Sequence, residues 1–195
     1  MSEYSLKDIS TMQTGLILAR KKAESGSLHV YKQLTLRSME NDGINAEAIT
    51  SFYATESLQS DYFSQNGTIV MKLFAPFNPI VITKETEGFL IPSQMVWIKP
   101  GKKVLAEYLC FYLSQDFISR RLLENYFWIA QRAITIDSLS NLKIRVPSVK
   151  TQKVICDYYS NYRNLCRLRK ELDKEEQKNM KYVFSVLSKE KELQQ

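Results

Sequence analysis

Glycine and histidine are scarce in this chain, whose 195 residues include six of the first and one of the second. The glycines stand apart, and neither GxxxxGK[ST] nor GxGxxG occurs. The backbone cradles that hold phosphates in P-loop and dinucleotide-binding proteins are therefore missing. His29 sits beside a loop with no GxSxG and no Cys-His pattern, so a triad hydrolase would lack its base. The three cysteines, Cys110, Cys156 and Cys166, show no CxxC spacing and read as reduced, partly buried thiols rather than a disulfide frame or a metal site. No apolar run approaches the ~20 residues of a membrane helix. Met1 to Thr11 also lacks the basic start and apolar core of a signal peptide. The expectation is a cytoplasmic protein without membrane contact, catalytic residues, metal or cofactor.

The remaining acidic pairs do not alter that expectation. Glu85/Glu87 lie in a turn and Glu175/Glu176 in a charged tail, both read as solvated, and no D…ExK cluster accompanies them. Phe77-Asn78-Pro79-Ile80 has a faint likeness to the NPP[YF] loop of adenine methyltransferases. It lacks the second proline and the aromatic that stacks on a flipped base, and reads as a proline turn.

What is present is an ordinary globular composition, 44% hydrophobic and 25% charged, with a net charge of +6. That charge is uneven: residues 1–65 carry −2, residues 66–149 carry +4 and residues 150–195 carry +4. Such a field suits a phosphate-bearing partner, and a solvated lysine-rich surface fits it equally well.

Short β-favouring runs with Gly and Pro punctuation dominate residues 1–148. The reading is a strand before Gly15, a second strand through Leu16-Ile17-Leu18-Ala19 into Arg20-Lys21-Lys22, and an alternating strand over Val30 to Ser38. After the Asn66-Gly67 turn come strands over Thr68–Phe74, Ile80–Thr83, Phe89–Ile91 and Met95–Ile98. One helical segment, Ala106 to Tyr126 with a break near Ser114, follows from the spacing of Leu105, Tyr108, Leu109, Tyr112 and Leu113. Ile134-Thr135-Ile136 and Leu142 to Val146 read as the last strands. Tyr62, Phe63, Phe127 and Trp128 read as core, and Arg120 and Arg121 as the exposed face of the helix.

Residues 149–195 contain no Gly and no Pro and have a long-helix composition. A heptad row from Ile155 gives Ile155, Tyr162, Arg169, Glu176, Val183 and Glu190 at a, with Tyr158, Leu165, Leu172, Asn179, Val186 and Leu193 at d. The apolar members, Ile155, Tyr158, Tyr162, Leu165, Leu172, Val183, Val186 and Leu193, are the expected packing residues. Arg169, Glu176 and Asn179 are polar positions able to set register. Some ~40 helical residues span roughly 60 Å, long beside a ~150-residue head, which favours a projecting helix over one lying back on the head. The fold class is thus α+β: a mainly β head over 1–148 with one internal helical segment, then a helix over 149–195 that pairs as a coiled coil or bundle.

The segment Leu139-Ser140-Asn141-Leu142-Lys143-Ile144-Arg145-Val146-Pro147-Ser148, continuing Val149-Lys150-Thr151-Gln152-Lys153-Val154-Ile155, resembles a junction in specificity (S) subunits of type I restriction–modification systems. There a DNA target-recognition domain ends in an "L..I.IP" strand, followed by "P…Q..I" and a long helix. Thr14-Gly15, Gly67-Thr68-Ile69-Val70, Gly88 to Ser93 and Glu107-Tyr108-Leu109 match further family patterns in the same order. Thr68 stands where the family carries Asp, and no internal repeat of the two-headed S subunit is present, so the chain resembles a half-length one.

The resemblance implies a non-catalytic, sequence-specific reader of one half of a split double-stranded DNA target. It implies pairing with itself as an antiparallel homodimer or with a second half-subunit, and docking of methyltransferase subunits and of restriction subunits. It carries over no base contact. By chemistry alone the DNA-binding candidates are Arg20, Lys21, Lys22, Lys72, Lys84, Lys102, Lys103, Gln131 and Arg132, since basic and amide side chains address phosphates and base edges. The alternative is a helix-mediated adaptor that never touches DNA.

Overall fold

The computed structural model describes residues 2–23, 27–40, 43–124 and 133–192, with side chains to Ser185. Gln131, Arg132, Phe127, Trp128 and Leu193, and the Val186 side chain, lie outside this description. The chain divides into two compact units, Met1–Cys156 and Asp157–Gln195.

The first unit, the head, opens with strand β1 (Ser2–Ser5), a single helical turn α1 (Leu6–Ile9) and β2 (Ser10–Thr14). Next come β3 (His29–Gln33), β4 (Met39–Glu40), β5 (Gly43–Ile44), β6 (Thr50–Ala54), β7 (Ile69–Lys72), β8 (Ile80–Val81) and β9 (Met95–Pro100). Helices α2 (Ala106–Leu113), α3 (Asp116–Leu123) and α4 (Ile136–Ser140), strand β10 (Lys143–Val146) and helix α5 (Val149–Glu192) complete the order. A four-stranded antiparallel sheet, β2-β9-β7-β8, is the centre; β1 pairs β10, β3 pairs β6 and β4 pairs β5.

Strand alternation gives this sheet two buried faces. Ile69 and Met71 of β7 with Val96 and Ile98 of β9 pack against Leu109, Leu113, Ile118 and Leu122 of α2 and α3. Val70 and Met95 face the other way, onto Leu34, Met39, Ile82 and Ile91. All four residues of β7 are therefore buried, as expected for a strand covered on both faces. A third cluster joins Leu16, Phe52, Ala54 and Leu90 with Tyr31, Tyr62 and Phe63.

Several local expectations change in the structure. Leu16–Ala19 is not a strand: Leu16 makes one bridge to Pro92, and Leu18–Arg20 form a 3-10 turn. The cause is the approach at Gly15, where an added Cβ would lie 2.1 Å from the Ile91 carbonyl oxygen, so the chain lies against residues 91–93 there. Phe89–Ile91 makes only isolated bridges, and the strand read over Val30 to Ser38 ends at Gln33. Ile134–Ile136 opens a helix instead of a strand, because the Thr135 hydroxyl accepts from the Ser138 amide at 3.1 Å and caps α4. The helical segment does break at Ser114, whose hydroxyl donates to the Phe111 carbonyl while Gln115 turns extended. The turn before β7 works with Thr68 because its hydroxyl donates to the Gln65 carbonyl at 2.6 Å, a bond an ionised Asp could not make.

The helix begins at Val149, but its first turns belong to the head. Gln152 is fully buried; its Oε1 accepts from the Leu105 amide, and its Nε2 donates to the carbonyls of Lys103 and Pro147, at 2.9–3.0 Å. Ile155 packs against the head core, together with Cys156. It is therefore a head residue and leaves the set of interchain packing candidates. The unit boundary accordingly falls after Cys156, later than the Pro147-Ser148 break. Among the described residues no helix is long and apolar enough to cross a membrane.

Candidate nucleic-acid interface

The basic candidates do not form one patch. Lys72 has to be withdrawn as a DNA contact. It shares its face of β7 with Val70, is only 8% exposed, and its Nζ donates to the Met39 carbonyl at 3.2 Å. The Asn78 side chain donates to the same carbonyl at 2.9 Å. Burial holds the Lys72 ammonium below the usual lysine range, the sign expected where desolvation opposes charge. Sequence alone cannot distinguish this lysine from a surface one, because β7 looks half-exposed until its second covering layer is known.

Lys102 and Lys103 are exposed on the turn after Gly101. They border a depression lined also by Ser2, Tyr4, Pro147 and Ser148. Lys103 lies over the Tyr4 ring, 4.7 Å from its centroid, and its carbonyl is held by Gln152. Lys84 is exposed on a turn closed by Thr83 and Thr86.

Arg20, Lys21 and Lys22 fall together along β6. The Thr55 amide donates to the Lys21 carbonyl, the Ala23 amide donates to the Tyr53 carbonyl, and Lys22 bridges Ala54. Arg20 and Lys22 are exposed, while Lys21 forms an ion pair with Glu56. The hydrogen bond and charge of Lys21 hold the Glu56 carboxyl below its ordinary range. Part of the positive charge of Lys21 is thus already answered within the protein.

Beside this run lies a surface that positive charge alone does not mark. In the β3–β6 pair, Val30 stands opposite Tyr53 and Lys32 opposite Ser51. Val30, Lys32 and Ser51 are exposed and Tyr53 is half-buried, whereas the intervening Tyr31, Phe52 and Ala54 enter the third core cluster. Val30 reads as an inward residue from its type alone, but the pleat phase is set by Tyr31. The Tyr31 ring packs on Phe63 at 5.1 Å, and its hydroxyl accepts from the Leu58 amide. The result is a strand face that mixes apolar, hydroxyl and cationic side chains. That combination can meet thymine methyls, base edges and phosphates.

On the second unit, Tyr158, Tyr162, Leu165, Leu172 and Val183 are all exposed, as are Leu168, Met180, Tyr182 and Phe184. Intrahelical ion pairs join Arg167 with Glu171 and Glu175 with Lys178.

Residues 1–179 match the family model described as the type I restriction modification DNA specificity domain. Among solved structures, one chain comes from work on complex assembly and conformational transition of the type I R-M system. It is 14% identical with a TM-score of 0.67, over 93% of this chain and 43% of that one. The HsdS subunit from Thermoanaerobacter tengcongensis is 13% identical with a TM-score of 0.63, over 89% of this chain and 46% of that one. This chain thus spans less than half the length of either, and at these identities the likeness is one of fold. No curated protein matches it.

Proposed function

The chain belongs to the type I restriction modification DNA specificity family, and on that premise we propose that it is a recognition subunit reading one half of a split duplex target. The single observation that supports this most is the span of the family match, which takes in the head and α5 to residue 179 together. In this reading the outer face of β3–β6 enters the major groove, a space wide enough for two strands. Arg20 and Lys22 hold the flanking phosphates, with a smaller share from Lys21 because Glu56 already engages it.

The helix α5 pairs with a second such helix, giving a two-headed assembly. Methyltransferase subunits dock on that assembly and carry the chemistry and its cofactor, while this chain selects the site. Restriction subunits join the same assembly.

The test is selection from a random duplex library by the chain together with a type I methyltransferase subunit. Enrichment of a two-part motif is expected. Stable binding to the methyltransferase with no sequence enrichment would replace this reading with that of an adaptor.

A further inference from the structure

The end of β6 sets a carboxylate beside the basic run Arg20-Lys21-Lys22. The Thr55 amide donates to the Lys21 carbonyl at 3.0 Å and the Ala23 amide donates to the Tyr53 carbonyl at 2.8 Å, so residues 21–23 follow β6 to its end. Glu56 comes next along the chain, and its carboxylate pairs with the Lys21 ammonium. The partners' backbones are thus tied one residue from the contact, which lowers the entropy cost of holding it. Both side chains remain open to water, Lys21 at 39% and Glu56 at 58%. Arg20 and Lys22 are exposed and, among the described residues, in no ion pair.

An acid in such a place opposes the partner that its neighbours attract. A phosphate approaching Lys21 meets the Glu56 charge as well, so a duplex offering only its backbone gains two cations here instead of three. The exposed pair is weak enough to be exchanged, because water and salt screen it. What can replace it follows from donors and acceptors. The Lys21 ammonium and, less strongly, His29 keep the Glu56 carboxyl ionised, so it only accepts. On the major-groove edge adenine sets its amino group beside an acceptor nitrogen, and guanine and thymine offer acceptors. Cytosine alone presents a donor, at N4, with no acceptor of its own beside it.

Resting on the reading that the outer face of β3–β6 meets duplex DNA, we propose that Glu56 is a specificity-determining residue. Paired with Lys21, it opposes binding to DNA at large. At the target it accepts from a cytosine N4 amino group and releases Lys21 to a phosphate. One ion pair is exchanged for a base contact and a phosphate contact, so the third cation engages only where that base is present.

The test uses the full chain and two measurements. In salt titrations on random duplex DNA, Glu56→Gln should bind about threefold or more tighter than wild type, with a slope of log K against log salt steeper by about one. Lys21→Met added to Glu56→Gln should remove that gain. Glu107→Gln, an equal change of charge on the exposed side of α2, should not reproduce it; an equal gain there would overturn the role of Glu56. In selection from a random duplex library with a methyltransferase subunit, wild type should enrich cytosine at one position of the half-motif. Glu56→Gln should shift that position to adenine, which an amide can meet with both a donor and an acceptor, and leave the others unchanged. A motif identical in wild type and Glu56→Gln would overturn the exchange alone. A wild type that enriches no motif would overturn the recognition reading and the exchange with it.

Discussion

The head and the second unit spend their apolar residues in opposite ways. In the head they are enclosed on both faces of the β2-β9-β7-β8 sheet, and among the described residues no buried side-chain nitrogen or oxygen lacks a hydrogen-bond partner. In α5 beyond Cys156 the large apolar side chains remain in contact with water. A region that satisfies itself is stable at any concentration, whereas one that leaves such a stripe open depends on what it meets. Stability and the proposed assembly thus fall to different stretches of one chain.

Leucine truncation should separate the two most sharply. Leu109→Ala, inside the head, is expected to cost about 2–5 kcal/mol in urea unfolding, independent of protein concentration. Leu165→Ala on α5 should leave head unfolding unchanged and act only on self-association measured by sedimentation. If both variants lowered head stability alike, the division would fail.

Next in size is the amide that ties the start of α5 to the head. Gln152→Ala leaves the Leu105 amide and the Lys103 and Pro147 carbonyls without their partner. The expected loss is roughly 2–4 kcal/mol of head stability, because buried backbone groups would lose hydrogen bonds. Gln152→Glu should recover little of it, since a carboxylate accepts from Leu105 but cannot donate to the carbonyls. Equal stability of wild type and Gln152→Ala would show that these bonds are replaced by water.

The outer face of β3–β6 should behave unlike either. Lys32→Ala with Tyr53→Ala is expected to change head stability by less than about 1 kcal/mol while abolishing target enrichment. Arg20→Ala with Lys21→Ala should lower affinity for all duplexes and reduce the slope of log K against log salt by about one to two, as fewer counterions are released. An unchanged slope in a salt titration would remove both residues from the interface.

The smallest effect belongs to Lys72. Its proton is held less firmly in the folded state than in the unfolded one, so the charge penalty is full below the folded pKa. It is relieved as pH rises through that value towards the ordinary 10.5. Lys72→Met should therefore match or exceed the wild type at pH 7, by less than about 1 kcal/mol, and the wild type should gain on it by pH 10. Urea midpoints at the two pH values measure this, and a constant difference would mean that Lys72 is not desolvated.

Much of the fold was legible because it follows local rules. The Asn66-Gly67 turn, the strands at Ile69 and Met95, the break at Ser114 and the strand-to-helix junction near Pro147 all depend on neighbours in sequence. Ile134–Ile136 misled although its decider is local, the Thr135 cap onto Ser138, whereas Leu16–Ala19 and the outward face of Val30 are decided by distant partners, the backbone at Ile91 and the Tyr31–Phe63 contact. The site was less legible for the same reason. Positive charge can be read in a sequence, but whether a lysine is on the surface, as at Lys32, or in the interior, as at Lys72, depends on layers that fold over it.

The alternation along β3 and β6 has a consequence for how such a protein changes over time. Val30, Lys32, Ser51 and Tyr53 point away from the residues that hold the strands in place. Mutations can pass through these positions while Tyr31, Phe52 and Ala54 keep the pair folded. What that face can contact is therefore free to drift, one side chain at a time, with the scaffold carried along unchanged.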